Sequence, residues 1–116
     1  MCLIRNEPGA DIVKDVLPES CISAVNLAEV VAKMDELGMA PPLIAEVLEP
    51  LQLETIAFDR EQAFGSGLLR QATRGVGLSL GDRACLSLAI KLDAEALTTD
   101  QAWSKLNTPA KIRLIR

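Results

Sequence analysis

Apolar positions fall in short blocks along this chain, and the spacing inside each block predicts its element. From Ala24 to Leu37 the set Leu27, Val30, Val31, Met34 and Leu37 recurs at helical spacing, while Asn26, Glu29, Lys33 and Glu36 share the opposite face. This predicts an amphipathic helix stopped by Gly38. Leu80, Gly81 and Asp82 open an apolar run that continues to Leu92, interrupted only by Arg83, Ser87 and Lys91 at i, i+4 and i+8, which predicts a mostly buried helix with one narrow wet stripe. Pro41 and Pro42 open another helix that breaks near Pro50. Asp59 is a candidate N-cap for a helix from Arg60 to about Arg74, weakened by Gly65 and Gly67 and supported by Ala63, Phe64, Leu68, Leu69 and Ala72. Ala10 to Leu17 reads as a further short helix. Strand-like runs lie near residues 21–23, 53–58, 96–99 and 112–115. Strands separated by helical segments predict an α/β domain, its parallel sheet buried between helices.

Composition narrows the function classes. The chain has 116 residues, enough for one domain, and it contains two Phe, one Trp and no Tyr, which argues against an aromatic platform for stacking bases. No apolar run is long enough to span a membrane, and Met1 to Pro8 lacks a secretory signal pattern, so a soluble cytoplasmic protein is expected. Cys2, Cys21 and Cys85 are scattered and read as small core hydrophobes, with no disulfide framework suggested. The absence of histidine excludes His-based triads and His-ligated zinc. Any metal would therefore sit among carboxylates, a donor set suited to Mg2+ or Mn2+.

Charge is unevenly spread. Residues 1–59 carry three basic and eleven acidic side chains, residues 60–116 nine basic and five acidic. The basic half is compatible with phosphate contacts from Arg70, Arg74, Arg83, Lys105, Lys111 and Arg113.

Three acids stand out, each with an ordinary structural reading beside the chemical one. Glu29 precedes Lys33 by four residues, a common surface helix pair. Asp82 follows Ser79 by three, the spacing of a capping box. Asp100 can cap the helix that begins at Gln101. The strings that contain them read together as more. RNEPGA (Arg5–Ala10), ISAVNLAEVVAKMDELGM (Ile22–Met39), GLSLGDRACLSLA (Gly77–Ala89), LTTDQAW (Leu97–Trp103) and IRLIR (Ile112–Arg116) resemble the PIN domain family, specifically the VapC-like ribonuclease toxins of type II toxin–antitoxin systems.

The resemblance implies an α/β fold with a five-stranded parallel sheet and an acidic pocket at its strand ends. There Glu29, Asp82 and Asp100 would be both the catalytic residues and the ligands of Mg2+ or Mn2+, with Ser23 and Thr99 as weaker matches to hydroxyl groups near the metal. It implies RNA as substrate, hydrolysed by a water activated through one or two ions, a VapB-like antitoxin as partner, and a homodimer. The family's opening strand, which ends in an aspartate, has no counterpart: Met1 to Arg5 matches the segment after it. That strand is central in the family's order 3-2-1-4-5, so four strands are expected in a single domain over residues 1–116 that is N-terminally truncated relative to the family. The missing strand is expected from upstream sequence, with Met1 internal to a longer protein, or from a partner. The alternatives are a degenerate relative and a catalytically dead PIN-like module that binds protein through the helices at Ala24–Leu37 and Pro42–Leu51.

Overall fold

The computed structural model describes residues 3–5, 20–98, 100–106 and 108–114, with backbone alone for residues 3–5, 101 and 104. The predicted helix at Ala10–Leu17 lies outside the described residues. The elements run β1 (Leu3–Arg5), β2 (Ser20–Ser23), α1 (Ala24–Glu36), α2 (Pro41–Leu48) with a 3-10 turn at Glu49–Leu51, β3 (Glu54–Ile56), α3 (Arg60–Ala72), α4 (Leu80–Leu92), β4 (Glu95–Thr98), a 3-10 helix at Gln101–Lys105, and β5 (Lys111–Leu114). All four expected strands are present, and helices flank the sheet as the α/β reading requires.

The sheet has five strands where four were expected, in the order β3-β2-β1-β4-β5. The fifth is β1, at the centre, which pairs antiparallel with both β2 and β4 (Ile4 opposite Cys21 and Ala96), whereas β2 pairs parallel with β3 and β4 parallel with β5. Met1 to Arg5 was expected to follow a missing strand. Instead Leu3–Arg5 fills that strand's place, giving the inner edges of β2 and β4 a hydrogen-bonding partner. Because both neighbours oppose β1, the four outer strands all point the same way. Their C-terminal ends share one edge of the sheet, the edge where open α/β sheets carry their sites.

The core centres on α4. Ala84, Cys85, Leu86, Leu88 and Ala89 are buried with Cys21, Leu69, Ala94, Ala96 and Trp103. A second cluster places Ile22 and Leu97 under Leu27, Val30 and Leu53. Cys85 is disulfide-bonded, which the scattered cysteines did not predict, while Cys21 is a buried free thiol.

The stripe Arg83–Ser87–Lys91 is wet only at Lys91. Arg83 and Ser87 are only 9% and 7% exposed, because this stripe is the seam against α3. Arg83 Nη1 donates to the Ser66 carbonyl at 3.1 Å, Ser87 Oγ donates to the Gln62 carbonyl at 3.4 Å, and Lys91 pairs with Asp59 and Glu61 where α3 begins. Gly65 makes the close approach possible, since a Cβ there would lie 2.7 Å from Ser87 Oγ. Phe64 and Leu68, which support the predicted helix, are each 68% exposed. They share the face of α3 turned away from α4.

α1 keeps its predicted amphipathicity in part, Leu27 and Val30 packing on the core while Glu29, Lys33 and Glu36 are exposed. Its only buried residue is Asn26, from the face expected to be polar and solvated, whereas Val31 and Leu37 are exposed.

Candidate active site

Three elements bring acidic residues to the C-terminal edge of the strands. Ser23, the last residue of β2, caps α1, its buried hydroxyl accepting from Val25 N at 3.2 Å, and Glu29 follows in the helix's second turn. Only Asp93 and Ala94 separate α4 from β4, with Asp93 in the left-handed region (φ 51°), so the chain reverses and α4 begins over the edge where β4 ends. Ser79 and Asp82 form the predicted capping box there: Asp82 N donates to Ser79 Oγ and Ser79 N donates to Asp82 Oδ2, both at 3.1 Å. Beyond β4, Asp100 N donates to Thr98 Oγ1 at 3.0 Å, and Asp100 Oδ1 accepts from Ala102 N at 3.0 Å. Buried Trp103 anchors this 3-10 helix to the core.

Glu29 and the first turn of α4 are in direct contact. The Glu29 carboxylate occupies the space that a side chain at Gly81 would need, one residue before Asp82. Asn26 secures the approach: its Nδ2 donates to the Gly81 carbonyl at 2.9 Å and to Glu29 Oε1 at 3.1 Å. Asn26 is 4% exposed, and its Oδ1 is buried without a hydrogen-bond partner among the described residues. A cavity of about 490 Å³ opens beside this contact between α1 and α2, lined by Asn26 and Glu29 and by apolar side chains including Val30, Met34 and Val47.

Asp82 and Asp100 lie on the same edge as Glu29, each carboxylate engaged with the backbone of its own helix start. Among the described residues, no three acidic or cysteine side chains stand close enough together to share one ion. Ser23 is committed to capping α1, and Thr99 lies outside the described residues. Of the basic candidates, Arg83 is buried against α3 and unavailable to a ligand. Lys111 pairs with Asp93 at 3.0 Å, and Arg113 faces Glu95 at 3.9 Å. Arg70 and Arg74 line a polar hollow with Thr73, Gly77 and Leu78, directly before Ser79 and the start of α4.

Sequence reasoning missed Asn26 and Gly81. The available signal is an amide three residues before Glu29, hence on its face of the helix, but the charged side chains of that face predict solvent around it. The acids of the edge are carboxylates, the donor type a hard divalent cation takes, and the absence of a side chain at Gly81 leaves room for that of Glu29.

No curated protein and no solved structure matches the chain. The family model for the PIN domain matches residues 2–108, nearly the whole chain. Together with the order of the sheet and the acids at its edge, that match places this protein in the PIN domain family.

Proposed function

We propose that this chain is a Mg2+- or Mn2+-dependent endoribonuclease of the VapC-like kind, the toxin of a toxin–antitoxin pair, working in the cytoplasm as a homodimer under control of a VapB-like antitoxin. PIN domains are in general metal-dependent nucleases, which supports the reaction class. The observation that carries the reading is the seating of the Glu29 carboxylate against Gly81, next to Asp82. It brings Glu29 against the residue that precedes Asp82, remote in sequence, at the edge that also carries Asp100. The reading treats residues 1–116 as one PIN-like domain with β1 in the central strand position.

The chemistry that a bound divalent ion would supply there is Lewis acidity toward a phosphoryl oxygen and toward water. The protein's own part is to supply Glu29, Asp82 and Asp100 as oxygen donors and to guide the RNA. Without a cation these carboxylates repel a phosphate. Arg70 and Arg74 border the hollow beside the start of α4 and would draw the backbone in.

Cleavage of single-stranded RNA should require Mg2+ or Mn2+, and Asp100→Asn should lower the rate by about 100-fold or more with an unchanged circular dichroism spectrum. An Asp100→Asn protein that cleaves normally would remove this residue from the site. The second reading, a noncatalytic binding module, is favoured by β1: Leu3, Ile4 and Arg5 bring no carboxylate to the central position. Leu37, Leu43 and Val47 are exposed on α1, its C-terminal end and α2, the proposed docking helices. Metal-independent binding of the antitoxin, with no cleavage at any metal concentration, is the result that module would give.

A further inference from the structure

We propose that Asn26 and Gly81 are positioning residues that together set where the Glu29 carboxylate lies, a role that rests on the metal-dependent reading of this edge for its consequence but not for its test. Two independent features support it. First, the space taken by the Glu29 carboxylate is space a Cβ at Gly81 would fill. Gly81 is buried in a helical turn without a left-handed backbone angle, so local conformation does not demand glycine there. The demand comes from the opposing carboxylate. Second, a single amide group, Asn26 Nδ2, reaches both the Gly81 carbonyl and Glu29 Oε1. It ties the acid of α1 to the backbone of α4 and so determines which way the carboxylate turns.

This arrangement serves packing poorly. Asn26 is the one buried residue of α1, and its Oδ1 gains no partner among the described residues, a cost that an apolar side chain would avoid. Placement of Glu29 is what the asparagine provides. The same logic explains the glycine. Within a helix alanine is intrinsically better than glycine, so Gly81 gives up helix propensity to leave room for a carboxylate.

Gly81→Ala separates the two roles because the atoms it would overlap are the far end of a flexible side chain, not backbone. The methyl should displace the Glu29 carboxylate and leave the fold standing. Expected are a Tm equal to or above that of the parent and Mn2+ binding, measured by calorimetry, weakened at least tenfold. Asn26→Ala should also weaken Mn2+ binding, and Glu29→Gln should lose most of it. The metal-free protein gives the second readout: the Asn26 side-chain NH2 signals in ¹⁵N NMR should exchange slowly, and should shift in both Gly81→Ala and Glu29→Gln. If Gly81→Ala and Asn26→Ala bind Mn2+ like the parent while Glu29→Gln does not, the positioning roles are refuted and the metal site stands. If no form binds Mn2+, the metal-dependent reading fails, and the NMR decides positioning alone: an Asn26 amide that exchanges freely, or ignores both substitutions, overturns it.

Discussion

Between α3 and α4 the polar side chains of the seam are drawn into contact with the opposing helix. Arg83 and Ser87 reach carbonyls of Ser66 and Gln62, Gly65 lets the helices close, and Lys91 seals the exposed end against Asp59 and Glu61. Between α1 and α2 the arrangement is reversed. Apolar residues line open grooves, Leu37 is 77% exposed, and the one buried side chain of α1 is an asparagine directed at a carboxylate and at a third helix. A buried polar group therefore has two meanings in this molecule. In the α3–α4 seam it fastens two helices, and in α1 it aims an acid.

Arg83 offers the strongest way to break that contrast. Arg83→Leu removes the buried, charge-assisted hydrogen bond that ties α4 to the Ser66 carbonyl, and should cost about 2 kcal/mol in urea unfolding. Below its Tm it should leave the KM for RNA unchanged. Arg70→Gln with Arg74→Gln should do the opposite, raising KM several-fold and flattening its salt dependence with little change in stability. If Arg83→Leu is neutral, the seam is not held as described.

Two glycines in α3 sharpen the point. A Cβ at Gly67 meets nothing within 4 Å, so Gly67→Ala should stabilise by about 0.5–1 kcal/mol through helix propensity. Gly65→Ala meets Ser87 Oγ and should destabilise by about 1 kcal/mol, overpacking outweighing that same gain. Thermal melts of the pair should move in opposite directions.

The exposed end of the seam gives smaller, pH-dependent effects. The Gln62 amide, and then the Lys91 charge, hold the Asp59 carboxyl below its usual range. Its contribution is therefore present above the unfolded pKa near 3.9 and lost as pH falls through the lower folded value. The hydrogen bond to Glu61, with the charges of Asp59 and Glu61, raises Lys91. That contribution is present below about pH 10.4 and lost as pH rises through the folded value. Asp59→Asn should flatten the acid limb of a stability–pH curve, and an unchanged limb would contradict the pairing. Cys21 is a weaker probe of the core. Burial, and then the charge of Glu54, push its thiol up to about 11, so it should resist alkylation at pH 8 until the protein unfolds.

The sequence was most legible where local chemistry decides. Ser79 and Asp82 form the capping box their spacing predicts, Asp59 and Asp100 cap as expected, and the apolar run from Leu80 lies in the core. What periodicity could not supply was the identity of the surface facing each stripe. The Arg83–Ser87–Lys91 stripe reads as solvated until α3 lies over it, and Asn26 reads as surface until Gly81 comes near. Leu3–Arg5 is too short to be read alone, and it is a strand because two neighbours offer it backbone partners. For the site, residue spacing supplied three acids and the family resemblance grouped them. The cradle that seats Glu29 depends on a contact between residues 29 and 81 that no local pattern encodes.

The most direct test of the central claim is an anomalous-difference map from crystals soaked in Mn2+. If the edge holds the ion, one or two peaks should stand at the C-terminal ends of the strands, within about 2.5 Å of oxygens from Glu29 and at least one of Asp82 and Asp100. Manganese bound only elsewhere on the surface, with that edge empty, would contradict it.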